Sequence, residues 1–293
     1  MKKIIFSRKG FDSSSGGIAS PIFSDSTLFS IPIPSDEKED EQTYQDLEFS
    51  YENESIADIL NNLSANSIVK QGYKSSCNYQ TKRCHHDPMH IKTAEFDGIV
   101  LGQYGPAAGH LRNKKVSEGD IFLFYGWFKE LEKNGDIWHY KQGAKDLHLI
   151  WSYMVVGEVY SIETPQQRER LLKTHSFLKE HPHMKIEKDK TTKTNTLYLS
   201  KEYKYFNYAK KRILTDMKEH KGRSNWRLPK YFNQPQAFSY LKKFHNDGND
   251  TNVSFKGYGQ EFVLDLNNVT DRDTQDILSY IQQLTEKSFN DPI

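Results

Sequence analysis

Gly119-Asp120-Ile121-Phe122-Leu123-Phe124-Tyr125-Gly126-Trp127-Phe128 is a turn followed by a nearly unbroken apolar run. A strand with water on one face alternates apolar and polar residues; this one is apolar on both alternating sets, as a central strand covered on both faces requires. Phe124, Gly126 and Phe128 share one face, and Tyr125 and Trp127 the other. Outward from it, Gly98–Gly102 and Asn195–Leu199 read as strands, and Leu147–Val159 as a long strand or a bent pair. Lys3–Ser7 and Gln260–Leu266 supply strands near the two ends.

Helical spacing appears between them. Ser55 precedes Ile56, Ile59, Leu60 and Leu63; Pro106–Arg112 and Gln166–Lys179 are shorter candidates. The clearest helix follows Thr270, with Asp273 placed for a capping box and Ile277, Leu278, Ile281 and Leu284 on one face. Strands and helices do not alternate regularly, which predicts an α+β fold: a mixed, loop-rich sheet with flanking helices. We expect one domain over residues 1–293, with surface insertions near 185–193 and 244–252.

Composition narrows the function. Hydrophobic residues are 36% of the 293, offset by 17 Phe, 17 Tyr and 4 Trp that each bury a large area. The 40 basic and 39 acidic residues leave a net charge of +1, without the basic excess of proteins that grip duplex DNA. No apolar run reaches membrane-spanning length, and Cys77 and Cys84 cannot make a disulfide scaffold, so the cytoplasm is the expected location.

Four segments carry candidate chemistry. Arg8 and Lys9 end the first strand before Asp12 and a Ser/Gly loop, offering an anion clamp and a carboxylate, or else an ordinary surface loop. Cys84-His85-His86-Asp87-Pro88 holds ligands for a divalent metal at His85 and Asp87, although its spacing matches no standard zinc motif. Gln103 to His110 passes from a strand end into a helix start; His110 is a base, a metal ligand or a core histidine. Gln260 and Glu261 open the last strand. Tyr125 and Trp127 are either core or a stacking platform for a base, and Arg227, beside Trp226, is a weaker phosphate ligand. His181-Pro182-His183 is weaker still.

Taken together, the segments SRKGFDSSSGG (7–17), SPIF (20–23), CHHDP (84–88), GQYGPAAGHLRN (102–113), EGDIFLFYGWF (118–128), DLHLIWSYMVVGEV (146–159), NWRLPKYF (225–232) and GQEFVLD (259–265) resemble the third nucleotide-modification-associated domain family. The resemblance implies one domain tied to synthesis or processing of modified nucleotides, often in phage-linked settings. By position it raises Arg8, Lys9, Asp12, Asp87, Gln103, His110, Gln260 and Glu261 above other candidates. The tandem His85-His86 departs from that pattern, where one of the two is apolar, which argues against His86 as a ligand. Gly119-Asp120 and Val155–Val159 are also similar to PUA-like barrels, a likeness of fold alone.

Two functional expectations follow. One is an enzyme on a nucleotide or modified base, with Asp12, Asp87, His110 and Glu261 as acid/base or metal-binding groups and Arg8 and Lys9 clamping an anion. The other is a non-catalytic reader of modified bases, or a regulator that sequesters a small nucleotide. For either, near-zero net charge predicts weak, strongly salt-dependent binding to plain duplex DNA and preference for a mononucleotide or flipped base. A fluorescence titration should show this; tight binding to unmodified duplex at physiological salt would refute it.

Overall fold

The computed structural model describes residues 2–71, 78–186, 194–255 and 261–286. The chain begins with β1 (Lys3–Arg8) and β2 (Ser20–Ile22), then the two-residue strands β3 (Ile33–Pro34), β4 (Ser50–Tyr51) and β5 (Glu54–Ser55) and helix α1 (Ile56–Gln71). Next come β6 (Cys84–His85), β7 (Met89–Lys92), β8 (Asp97–Tyr104) and α2 (Gly105–Asn113). The long strand β9 (Ile121–Asn134), the short β10 (Ile137–Tyr140) and the long β11 (Leu147–Ser161) precede α3 (Pro165–Thr174), α4 (Pro182–Lys185) and β12 (Asn195–Tyr205). The last part holds β13 (Asn225–Pro229), β14 (Phe244–Asp247), β15 (Asp250–Ser254), β16 (Glu261–Asp265) and α5 (Asp271–Thr285).

The expected α+β architecture is present. One mixed sheet of nine strands follows the path β16-β1-β9-β11-β12-β8-β7, with β2 and β10 paired to β9. β1 lies parallel to β9 and antiparallel to β16, so its apolar residues are covered from both sides. Alternation sends Ile4 and Phe6 to one face, where they meet Phe262, Leu264, Trp226 and the Ile277, Ile281 and Leu284 stripe of α5. Ile5 joins Phe122, Phe124, Val263, Ile99 and Leu101 on the other. On the outer side of β8 and β12, Val100, Leu197 and Leu199 are covered by Leu171, Leu178 and Met184. Phe11, Tyr44 and Trp138 pack under α1.

The sheet curls. β8 and β16 stand five strand positions apart along the path, roughly 24 Å in a flat sheet. Yet Gln103 of β8 bonds Glu261 of β16 at 3.0 Å, so strong twist and coiling bring the two regions together around the Ile5 face. Among the described residues the curl stops short of a closed barrel, and the likeness to PUA-like barrels therefore does not extend to their closure. The outer edge of β16 is covered instead by a bridge from Phe238 to Leu264 and a backbone bond from Ser239 to Val263.

One boundary differs from expectation, and one expected insertion has regular structure. Residues 244–252 form a hairpin, β14 and β15, paired against β13, with Thr251 buried and His245, Asn246, Gly248 and Asn249 exposed. The helix expected over 166–179 ends at Thr174, and Ser176–Leu178 forms a separate 3₁₀ turn. The expected insertion near 185–193 falls largely on 187–193, outside the described residues.

Thr270 caps α5 by accepting the Asp273 N–H at 3.2 Å, while Ile277 is fully buried. The apolar stripe, not the cap, should hold the helix. We expect Ile277→Ala to cost about 3 kcal/mol and Thr270→Ala about 1 kcal/mol in urea unfolding. Both variants should unfold in one transition, and limited proteolysis should release no stable fragment lacking either end.

Candidate functional site

The curl of the sheet gathers polar side chains that the sequence scatters widely. Ser7 and Glu261 face each other in the β1–β16 register, and Glu261 Oε1 accepts from the Ser7 hydroxyl and the Gln103 amide, both at 3.0 Å. Glu261 Oε2 is buried and has no hydrogen-bond partner among the described residues. Burial raises the Glu261 carboxyl to about 7, an effect the Lys9 charge and the Ser7 bond only partly offset and the Asp87 charge reinforces.

Asp87 is the second centre. Its Oδ1 accepts the Gly102 N–H at 2.6 Å, and its Oδ2 lies 3.4 Å from the Lys9 ammonium. Burial opposes ionisation of Asp87, but Lys9, then His181 and His183, outweigh it and hold the carboxyl far below the usual range. Gly126 makes room for this arrangement: a Cβ there would stand 2.8 Å from the Lys9 carbonyl.

Three imidazoles surround Asp87. His85 Nδ1 lies 2.9 Å from Asp40 Oδ1, and His183 Nδ1 lies 2.9 Å from Asn195 Oδ1. His181 accepts the His183 N–H on Nδ1 at 3.3 Å, which leaves its Nε2–H for the Val100 carbonyl at 3.4 Å and Asp87 at 3.6 Å. Burial lowers His183 to about 3 and His86 to about 4. Burial would also lower His85, but the Asp40 hydrogen bond and the Asp87 charge raise it overall. Burial pushes the Cys84 thiol up to about 12, so it remains protonated and is a poor metal ligand. Cys77 lies outside the described residues.

A cleft of about 430 Å³ opens above the Lys9–Asp87 pair. Phe29, Phe49, Trp151, Tyr205 and Phe206 line it, together with His86. Trp151 stacks with Tyr205 at 5.9 Å and 18° between planes. It sits at a break in the β11–β9 register between Ile150 and Ser152, where a bulge re-aims a side chain. Its indole N–H is buried without a partner among the described residues.

Arg8 and Lys9, though consecutive, serve different carboxylates. Arg8 pairs with Asp12 at 3.1 Å, within a separate cluster where Arg223 bonds Ser13 and lies 4.1 Å over the Trp127 ring. Asp12 also accepts N–H groups of Ser14 and Ser15. Burial would raise its carboxyl, but the Ser14 hydrogen bonds, Arg8 and Ser15 lower it overall. His110 meets Tyr240 at 3.2 Å on α2, and burial lowers its basicity. Tyr125 is fully buried, edge-on to Trp226 at 4.9 Å, in a core position, the other of its two readings. Trp127 gives its ring to Arg223 and its N–H to Asp146. Arg227 pairs through Nη1 with Asp247 and through Nε with Asp250 on the hairpin. Gln260 lies outside the described residues.

Sequence reasoning undervalued His181 and His183 and passed over Trp151, Asp40 and Arg223. The His-Pro-His spacing was a usable signal, since proline fixes how the two rings diverge. Trp151 had none, because strand alternation cannot anticipate a bulge.

The family model for nucleotide modification associated domain 3 matches residues 3–265. No curated protein and no solved structure matches the chain. That match runs from β1 to β16 and so takes in Lys9, Asp87, Gln103 and Glu261 along with the strands that carry them. The chain belongs to the nucleotide modification associated domain 3 family.

Proposed function

We propose that the protein takes a nucleotide or modified base into the aromatic cleft and transfers a proton at the edge of that base. The observation carrying this reading is the meeting, at Lys9, of an aromatic-walled cleft and a buried carboxyl with a pKa of about 7. A cleft of about 430 Å³ is of ligand-binding size, and its rings suit a planar base. Charge favours the base over the phosphate at the floor: Lys9 and Asp87 cancel, and Glu261 is half-neutral near pH 7.

Roles divide by acidity. Asp87 is too acidic to act as a base near neutrality; it holds Lys9 in place at 3.4 Å. Lys9 is the donor facing the cleft. Glu261, behind it, has the pKa suited to supplying and recovering protons. The stacked Trp151 and Tyr205 favour a second reading, a non-catalytic reader or sequestering protein, in which the same cleft only binds.

Turnover separates the two. Nucleosides, nucleotides and modified bases should quench tryptophan fluorescence through Trp151, and the Trp151→Phe variant should lose most of that signal. For an enzyme, Glu261→Gln should lower turnover by about 100-fold or more while leaving the quench unchanged. Binding with no product by mass spectrometry, in wild type and variant alike, would favour the reader.

Glu261 also predicts a pH effect on stability. A carboxyl with a raised folded-state pKa binds its proton more tightly when folded. Stability is therefore lost as pH rises from 4.5 towards about 7, and the loss then levels off. Asp87 acts in the opposite sense, losing stability at low pH, but it does so equally in wild type and variant. We expect Glu261→Gln to gain on the order of 3 kcal/mol relative to wild type between pH 4 and pH 8, measured by urea unfolding. A constant difference across that range would contradict the assignment.

A further inference from the structure

We propose that His85, Asp87 and His183 form a binding site for one borderline divalent transition metal ion of the Zn²⁺, Fe²⁺ or Mn²⁺ type. This assignment does not depend on what the aromatic cleft binds.

One nitrogen or carboxylate oxygen from each of the three residues lies within 4.8 Å of the others. Metal bonds of about 2.1 Å set the tetrahedral ligands of one ion about 3.4 Å apart, so the three side chains complete the site by closing on the ion by roughly 1 Å. Two nitrogens and one carboxylate suit these metals rather than Ca²⁺ or Mg²⁺, which favour all-oxygen sites.

Both rings are prepared as ligands. The Nδ1 of His85 is held by Asp40, and that of His183 by Asn195. The Asn195 amide nitrogen donates to the His183 carbonyl at 3.1 Å, so its oxygen is the acceptor and His183 carries its proton on Nδ1. Each ring then presents its Nε2 lone pair. This backing, an oxygen fixing the far nitrogen, is how metal-binding histidines are oriented. Gly102 admits the His183 ring, since a Cβ there would lie 2.1 Å from its Cδ2.

One ion would engage all three acceptors at once, where a proton bridges only one pair of them. Gly102 and His181 engage Asp87 Oδ1 and Lys9 engages Oδ2, which keeps a second lone pair for the ion.

The test uses the full chain, stripped with a chelator and titrated with Zn²⁺ by calorimetry and with Co²⁺ by visible absorption. We expect one ion per chain, affinity in the low-micromolar range or tighter, and Co²⁺ bands of nitrogen–oxygen coordination. His85→Ala, at a ring that is partly exposed, should weaken binding by about 100-fold. His90→Ala, at a surface ring paired with Asp97, should leave it unchanged. If His183→Ala fails to fold, His85→Ala decides. Absence of saturable 1:1 binding, or equal affinity in wild type and His85→Ala, would overturn the site.

Discussion

A buried carboxylic acid in the interior of a sheet must find donors, and that requirement organises this molecule. Glu261 meets it at Oε1 alone, with Ser7 from the neighbouring strand and Gln103 from a strand five positions away. Because the interior is a poor solvent for charge, an unsatisfied group there would cost several kcal/mol, and the bond from Gln103 can form only if the sheet curls. Lys9, Asp87 and the Gly102 N–H add a second link between the end of β1 and β8. Polar groups thus do along this line what backbone ladders do in a closed barrel.

The same seam explains how binding groups come to lie under an aromatic cleft. Curling brings the end of β1 towards β8, and the loop ending at Asp87 fills the space between them. The bulge in β11 then turns Trp151 over the pair. Rigid strands supply Gln103 and Glu261, while the loop after β6 supplies His86 and Asp87 and the segment leading into α4 supplies His181. Precision comes from the former and adaptability from the latter.

Much of this was legible in the sequence, for reasons that differ by element. β1, β9 and α5 were readable because their apolar periods are strong and their caps unambiguous. Asp87 and Glu261 stood out as carboxylates at strand or turn boundaries. The curl was not readable, since twist accumulates over a whole sheet and no local window contains it. For that reason no local window shows which of the grouped candidates Asp12, Asp87 and His110 meet one another: Arg8 takes Asp12 into one cluster, Lys9 takes Asp87 into another, and His110 meets Tyr240. Tyr125 lies buried on the central strand, while Trp127 is half-buried between Arg223 and Asp146.

The pairing of β1 with β16 has one more consequence. Lys3 and Asp265, register partners in that antiparallel ladder, are also the two ends of the family match. Partners of this kind sit about 5 Å apart. A unit whose entry and exit points nearly coincide can be spliced into a loop of a host protein without prising the host apart. Such a cassette would include α5, which begins beyond the matched residues yet buries Ile277, Ile281 and Leu284 in the core that β1 and β16 share.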